Sequence, residues 1–269
     1  MEALLADYHI HIENGRLDPG YLALYRKNAL DAGLAGFGIS EHLHNLDEGP
    51  RLLKRPVPEG VSSLGWDTEQ YICTVRESGF AVGLEADYIP ESENELRDYL
   101  ISHDFDYVIG SVHWLGDWVF DLSCELWGGV DVEGAWLRYF KAAVRAVRTG
   151  MFDIFGHPDV IKVFGIKPGA AFEEELERLY EELAAAAAQT GTCLEVSSAG
   201  LRKPCGEPYP DIRLLKAAKR AGACISFGSD AHFPEHVAYR FDRLTEHARS
   251  AGFEEAAVLV GGVMEQRAF

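Results

Sequence analysis

The chain is short of positive charge, of cysteine and of long apolar runs. Lys and Arg total 25 against 43 Asp and Glu, leaving a formal net charge of −18. A surface this acidic repels the nucleic-acid backbone and anionic lipid, so neither nucleic acid nor a membrane is expected as a partner. No stretch approaches the roughly 18–20 consecutive apolar residues that cross a bilayer. The opening residues MEALLADYHI carry no basic n-region, sustained apolar core or cleavage-type site. The chain is therefore expected to begin at Met1 and to work in the cytoplasm. Its five cysteines (Cys73, Cys124, Cys193, Cys205 and Cys224) are odd in number and form no CxxC. That argues against a zinc ribbon or a disulfide framework and leaves buried, reduced thiols as the expectation.

What the sequence does contain is a hydrophobic share of 47% over 269 residues, enough for one large core. A single domain spanning 1–269 is expected. Near-continuous apolar runs at 4–10, 34–40, 80–86, 107–112, 152–156, 192–197 and 223–228 read as strands buried on both faces, as in a parallel sheet. Helical stretches at 21–32, 67–78, 93–102, 132–149, 173–190, 212–221 and 235–251 fill the gaps. In the clearest of them Leu176, Leu179, Tyr180, Leu183 and Ala187 share one face. The acidic cluster Glu173, Glu174 and Glu175 reads as a first turn offsetting the helix dipole rather than as a binding patch. Glycines at 33, 79, 150, 191 and 222 stand where helices should stop. Seven such alternations imply a closed or nearly closed (β/α) barrel. Residues 45–65 form a Pro/Gly-rich loop long enough for a lid, and 256–260 is either an eighth strand or an outside segment.

The chemistry lies in the histidines. Of ten in the chain, six stand at or just past the C-terminal end of an expected strand: His9, His11, His42, His113, His157 and His232. Glu85 and Asp230 stand at two such ends as well. Parallel barrel strands deliver these ends to one face, where barrel enzymes build their sites. Side chains alternate along a strand, so His9 and His11 point to the same side. One strand-end histidine is commonly a satisfied core residue, but scattered histidines would not all gather at one end. Neutral imidazoles mixed with carboxylates suit divalent zinc, manganese or iron. Eight ligands are too many for one ion, so two or three divalent ions are expected. Clustered cations generate hydroxide at neutral pH and clamp a phosphoryl group for in-line displacement.

The motifs DYHIH (7–11), EH (41–42), GLE (83–85), SVH (111–113), GHPD (156–159) and GSDAH (228–232) resemble those of the PHP (polymerase and histidinol phosphatase) metallo-hydrolases. GLEADYIP, YVIGSVHWL, AGLRKPCGEPYP and GSDAHFPEHV bring the likeness closer to the histidinol-phosphatase branch. The resemblance covers essentially the whole chain and implies a distorted (β/α)7 TIM-like barrel, a multinuclear metal site and hydrolysis of L-histidinol phosphate in histidine biosynthesis. It also implies that His9, His11, Glu85 and Asp230 hold one ion, that Glu85 bridges to a second on His113 and His157, and that His42 and His232 hold a third. Many relatives carry a further histidine just after HxH; this chain reads Ile12-Glu13-Asn14, so Glu13 or His44 is the substitute for the third ion.

A phosphate also needs fixed positive charge. Arg202 and Lys203, just past the sixth strand, are the expected phosphate-binding pair, with Arg202, Asp230 and His232 as the catalytic set. The cationic amine of histidinol calls for a carboxylate, and Asp87, Glu91, Asp117 and Glu207 are on suitable loops. Trp114 and Tyr88 are available to stack on an imidazole, and Glu41 and Asp159 to orient ligands from behind. His103, His236 and His247 read as structural or exposed. Three other readings compete: another PHP phosphoesterase acting on a small nucleotide, an amidohydrolase, and a degenerate metal-binding module without catalysis. An amidohydrolase would want a lysine at a strand end, and none is there. A degenerate module would have lost ligands.

Overall fold

Short apolar runs alternate with amphipathic stretches along the chain, and the computed structural model, which describes residues 5–269, turns that alternation into strands and helices. Leu4, at the start of the expected first strand, lies outside the described residues. The order is β1 (Ala6–Asp7), α1 (Pro19–Asp31), β2 (Gly36–His42), α2 (Gly49–Leu53), α3 (Thr68–Glu77), β3 (Ala81–Asp87), α4 (Glu93–Ser102) and β4 (Tyr107–Ser111). A hairpin of β5 (Trp114–Leu115) and β6 (Trp118–Val119) follows, then α5 (Val132–Arg148), β7 (Ile154–Phe155) and α6 (Glu173–Thr190). The chain continues through β8 (Cys193–Ser197), α7 (Ile212–Ala221), β9 (Ile225–Gly228) and α8 (Phe241–Ser250) to a last hairpin, β10 (Glu255–Val260) and β11 (Val263–Ala268).

Local chemistry sets many of the boundaries. The Asp18, Asp67 and Asp131 carboxylates accept from the Tyr21, Gln70 and Gly134 amides at 3.0, 2.8 and 3.0 Å, capping α1, α3 and α5. Three glutamates occupy the first turn of α6, which ends on Gly191 in the left-handed region (φ 78°). Leu176, Leu179, Tyr180, Leu183 and Ala187 are buried on its inner face.

Seven strands form one parallel sheet in the order β1-β2-β3-β4-β7-β8-β9. The sheet curls until its edges meet: Ile10 bridges Ala231, the His11 amide donates to Ala231 O (2.8 Å), and the Ala231 amide donates to His9 O (3.1 Å). The result is a nearly closed (β/α)7 barrel with helices outside. Such strands are covered on both faces, which is why their sequences run apolar without alternation. No helix among the described residues is long and apolar enough to cross a membrane.

The segment 256–260 is not an eighth barrel strand. It belongs to the antiparallel β10–β11 hairpin, a sheet of its own. Val258 joins Ala6, Tyr8, Tyr107, Ile109 and Ile154 in a small apolar cluster at the N-terminal end of the barrel, and the Leu259 amide donates to the Tyr8 hydroxyl (2.7 Å). The hairpin thus seals the end opposite the expected site.

Two expectations fail locally. The helix expected over 235–251 starts only at Phe241. Pro234–His236 makes a 3-10 turn, Ala238 and Arg240 take positive φ (55° and 51°), and the Ala238 amide is tied to Asp7 Oδ2 at 2.9 Å. The thiols also differ. Cys193 and Cys224 form a disulfide, while Cys73 and Cys124 are exposed and Cys205 is partly buried. The bonded pair lies 31 residues apart in sequence, yet β8 and β9 run side by side and bring their Cα atoms within 4.5 Å.

Candidate metal centre

Parallel register is what assembles the site. His42 lies opposite Glu85, Asp87 opposite Ser111, and Ser197 opposite Gly228, so the C-terminal ends of the strands share one level. His9 and His11 project inward there, both fully buried. Around Glu85 Oε1 stand His157 Nε2 at 3.1 Å, His9 Nε2 at 3.5 Å and His113 Nε2 at 3.7 Å. Its other oxygen faces His42 Nδ1 at 2.7 Å and His11 Nε2 at 3.6 Å. Asp230 Oδ1 lies 3.2 Å from both His11 Nε2 and His232 Nε2, and 3.7 Å from His9 Nε2. The structure brings all eight expected ligands into one contiguous cluster.

Polar groups behind the ligands aim them. Glu195, buried in mid-strand on β8, accepts from His9 Nδ1 (2.7 Å) through one oxygen and from the His157 amide (2.6 Å) through the other. Asp87 Oδ1 pairs with His113 Nδ1 (2.8 Å), and Glu13 Oε1 with His232 Nδ1 (2.7 Å). Each contact leaves Nε2 facing the cluster, the arrangement in which a carboxylate fixes the tautomer of a ligating histidine. Glu41 accepts from the Ile12, His42 and Asn45 nitrogens at 2.9, 2.8 and 3.0 Å and lies 3.6 Å from His11 Nδ1. His157 and Asp230 both take positive φ (26° and 51°), a backbone conformation with a cost of order 1–3 kcal/mol that clusters at functional sites. Close approach requires a glycine at 228, where a Cβ would overlap Glu195 Oε1 and lie 2.9 Å from His9 Cβ.

The electrostatics explain what this cluster will accept. Burial alone would discharge His9, but the carboxylates of Glu195, Glu85 and Asp230 outweigh it and hold its pKa well above the imidazole range. His11 and His113 are pushed up to about 10 despite burial, His11 chiefly by Asp230 and Glu41 and His113 chiefly by Asp87. Burial would raise Glu85 and Asp230, yet the surrounding imidazoles keep both well below the usual carboxylate range. Such a nest of buried opposite charges is imperfectly paired: His9 Nε2 and both ring nitrogens of His11 have no hydrogen-bond partner. Donor atoms about 3.3 Å apart are what two Zn–N bonds of about 2.0–2.1 Å at a tetrahedral angle produce. Ligand atoms within 4.8 Å of one another group as His9–His11–Asp230, His9–Glu85–His157, His11–His42–His232 and His11–Glu13–Glu41. The donor set fits divalent metal ions.

Above the cluster opens a cavity of about 290 Å³. Leu53, Val57, Pro58 and Val61 from the 45–65 loop line it, as do Trp114 and Lys203. The base of that loop is pinned by Asp47 N to Trp66 O (2.9 Å) and Trp66 N to Asn45 O (3.0 Å). His44 lines the cavity too, stacked on His42 with ring centroids 4.7 Å apart, and burial lowers its pKa to about 4.

Other expected site residues sit elsewhere. Arg202 Nη2 donates to Ser229 O and Asp230 O, both at 2.8 Å, so the guanidinium braces the turn that presents Asp230; its Nη1 is buried without a partner. Asp159 does not orient His157: it pairs with buried Lys162 (2.9 Å) and accepts from the Asp211 amide (2.7 Å). Tyr88 is buried against Glu93 (2.6 Å) and packs rather than faces the cavity. His103 bonds Tyr99 O and His247 bonds Pro210 O, both at 2.9 Å. His236 sits in the turn before α8, edge-on to Phe233 and Tyr239.

Sequence reasoning passed over Glu195 and Asp121. Glu195 had a signal: it is the one charge inside the apolar run TCLEVS. Asp121, a cavity-lining residue just past the β5–β6 hairpin, had none.

The PHP domain family model matches residues 7–199. The chain belongs to the PHP family. A Deinococcus radiodurans PHP relative named "Probable histidinol-phosphatase" is 33% identical over 254 residues, covering 92% of this chain and 94% of that one. A "Histidinol-phosphatase" of Lactococcus lactis is 27% identical over 189 residues, 67% of this chain and 68% of its own. The crystal structure of a histidinol phosphate phosphatase from Lactococcus lactis, complexed with zinc, L-histidinol and phosphate, superposes with a TM-score of 0.75 at 22% identity, covering 97% and 98% of the two chains. The PHP barrel here has the same fold.

Proposed function

We propose that this PHP enzyme is a metal-dependent phosphomonoesterase that hydrolyses L-histidinol phosphate to L-histidinol and phosphate, a step of histidine biosynthesis. The observation that carries the reading is the cluster of six histidines, Glu85 and Asp230 on the floor of a cavity sized for a small molecule. Whole-length likeness to proteins named histidinol-phosphatase supports the substrate. Zinc in the Lactococcus complex supports zinc as the ion, with manganese and iron as the other cations suited to this donor set.

His9, His11, Glu85 and Asp230 would hold one ion, Glu85 with His113 and His157 a second, and His42 with His232 a third. Ions bound there supply Lewis acidity and an activated water for in-line displacement at phosphorus. Glu195, Asp87 and Glu13 keep the His9, His113 and His232 rings turned inward. Lys203 offers its ammonium to the phosphoryl oxygens from the cavity wall. Arg202 holds the Asp230 turn through Nη2. Leu53, Val57, Pro58 and Val61 of the 45–65 loop give the cavity an apolar wall beside the ligand cluster.

The test is a phosphomonoester panel on protein reconstituted separately with zinc, manganese and iron. L-histidinol phosphate should give the highest kcat/KM. A higher value for a nucleoside monophosphate would move the substrate to a nucleotide.

A further inference from the structure

An aminoalkyl phosphate brings a cation as well as an anion, and the structure offers several carboxylates to meet it. Most are committed. Glu207 is bound by Lys167 at 2.7 Å and lies 3.6 Å from Lys162. Asp117 and Glu91 point outward, 98% and 62% exposed, and share Arg55 at 3.6 Å. Asp87 lines the cavity but has one oxygen on His113 Nδ1.

Asp121 differs from all of these. It lines the cavity between Val119 and Leu122, and the charged groups that act on it most strongly are His113, Asp87 and His157. Its position is held from both sides through Phe120. The Phe120 amide donates to His113 O (3.4 Å), its carbonyl accepts from Trp127 Nε1 (2.7 Å), and its fully buried ring meets Tyr139 edge-on at 5.5 Å. The β5–β6 hairpin and this anchor carry the carboxylate to the cavity wall beside His113. An acidic wall of Asp121 and Asp87 therefore adjoins the floor where the phosphoryl group is processed; the imidazole of His113 faces it, but among the described residues no lysine or arginine lies within 4.0 Å of either carboxylate.

We infer that Asp121 is a specificity-determining residue that binds the protonated amine of the substrate and selects phosphomonoesters of amino alcohols over those that lack the amine. The inference rests on the phosphomonoesterase reading above and names which part of the substrate this wall recognises. A cation held here pairs with a carboxylate at a partly buried site, where a charge-assisted hydrogen bond is strong.

The experiment compares L-histidinol phosphate with its deamino analogue, 3-(imidazol-4-yl)propyl phosphate, on zinc-loaded wild type and Asp121→Asn. Wild type should prefer the amine-bearing substrate, and Asp121→Asn should shrink that preference about 10- to 100-fold, the worth of one hydrogen bond to a charged group. Zinc per chain, read by mass spectrometry, should be the same in both proteins. Asp121→Glu, which keeps the charge, should retain part of the preference and serves if the Asn variant fails to fold. A preference ratio left unchanged in Asp121→Asn, or zinc lost from that variant, overturns the assignment. Failure of wild type to hydrolyse either ester, while it turns over a nucleotide, would instead refute the substrate reading on which the inference stands.

Discussion

Replacing Glu195 by Gln isolates the carboxylate that aims two ligands at once. Its oxygens accept from His9 Nδ1 at 2.7 Å and from the His157 amide at 2.6 Å, in a site where its side chain is 1% exposed. A glutamine of the same shape has only one acceptor oxygen. With that oxygen on the His157 amide, the NH2 faces His9 Nδ1, which must then accept, so the ring proton moves to Nε2 and blocks the atom that faces Glu85 and Asp230. With the amide flipped, two N–H groups confront each other at residue 157. Either way a charge-assisted hydrogen bond to the carboxylate is lost, reversed to a neutral one at His9 or broken at residue 157, and such a bond is worth about 1.5–3 kcal/mol. At 1.4 kcal/mol per factor of ten, the affinity for the ion on His9 should fall about 10- to 100-fold. Zinc titration of metal-free protein against a competing chelator reads this directly. Isotherms of Glu195→Gln that superpose on wild type would refute the idea that Glu195 sets the His9 tautomer.

Further substitutions test other parts of the site. His113→Ala and Asp230→Ala should abolish phosphatase turnover while circular dichroism still reports a folded barrel; substantial activity in either, with metal confirmed absent, would remove that residue from the ligand set. Gly228→Ala drives a methyl into Glu195 and His9 and should lower both thermal stability and zinc content, unlike a glycine-to-alanine change at an unstrained surface site. Lys162→Met breaks a buried ion pair with Asp159 and should cost about 3–5 kcal/mol in denaturant unfolding; a loss under 1 kcal/mol would mean that Asp159 is satisfied by the Asp211 amide alone. Zinc affinity should rise with pH between about 6 and 9, because a ring must shed its proton to ligate. His11 and His113 are raised from 6.5 to about 10 in the metal-free fold. By the same linkage they stabilise that fold fully below pH 6.5 and progressively less as pH climbs towards 10. A pH-independent zinc affinity would contradict the shifts.

Much of the barrel was legible because its strands announce themselves as apolar runs and its ligands as strand-end residues, both local properties. What stayed hidden depends on which strands become neighbours. Cys193 and Cys224 meet only because β8 and β9 pair. Asp159 turned to Lys162 rather than to His157, since a 3-10 turn at Val160–Lys162 brings the ammonium beneath it. The helix expected from residue 235 was delayed by the Asp7–Ala238 contact, which joins the first strand to a segment 231 residues away. Arg202 was legible as a cation near the site, but its use as a brace for Ser229 and Asp230 was not, because that contact is to backbone carbonyls. Glu195 shows what a sequence reader should weigh more heavily: an acid inside a buried strand has to be held by something, and here that partner is a ligand pair.

The most direct measurement is anomalous diffraction at the zinc absorption edge from crystals of protein purified without chelator and supplied with zinc. Two or more peaks within bonding distance of Glu85, Asp230 and the surrounding histidine nitrogens are expected. A barrel with no peak there, or with zinc bound only at surface carboxylates, would contradict the account.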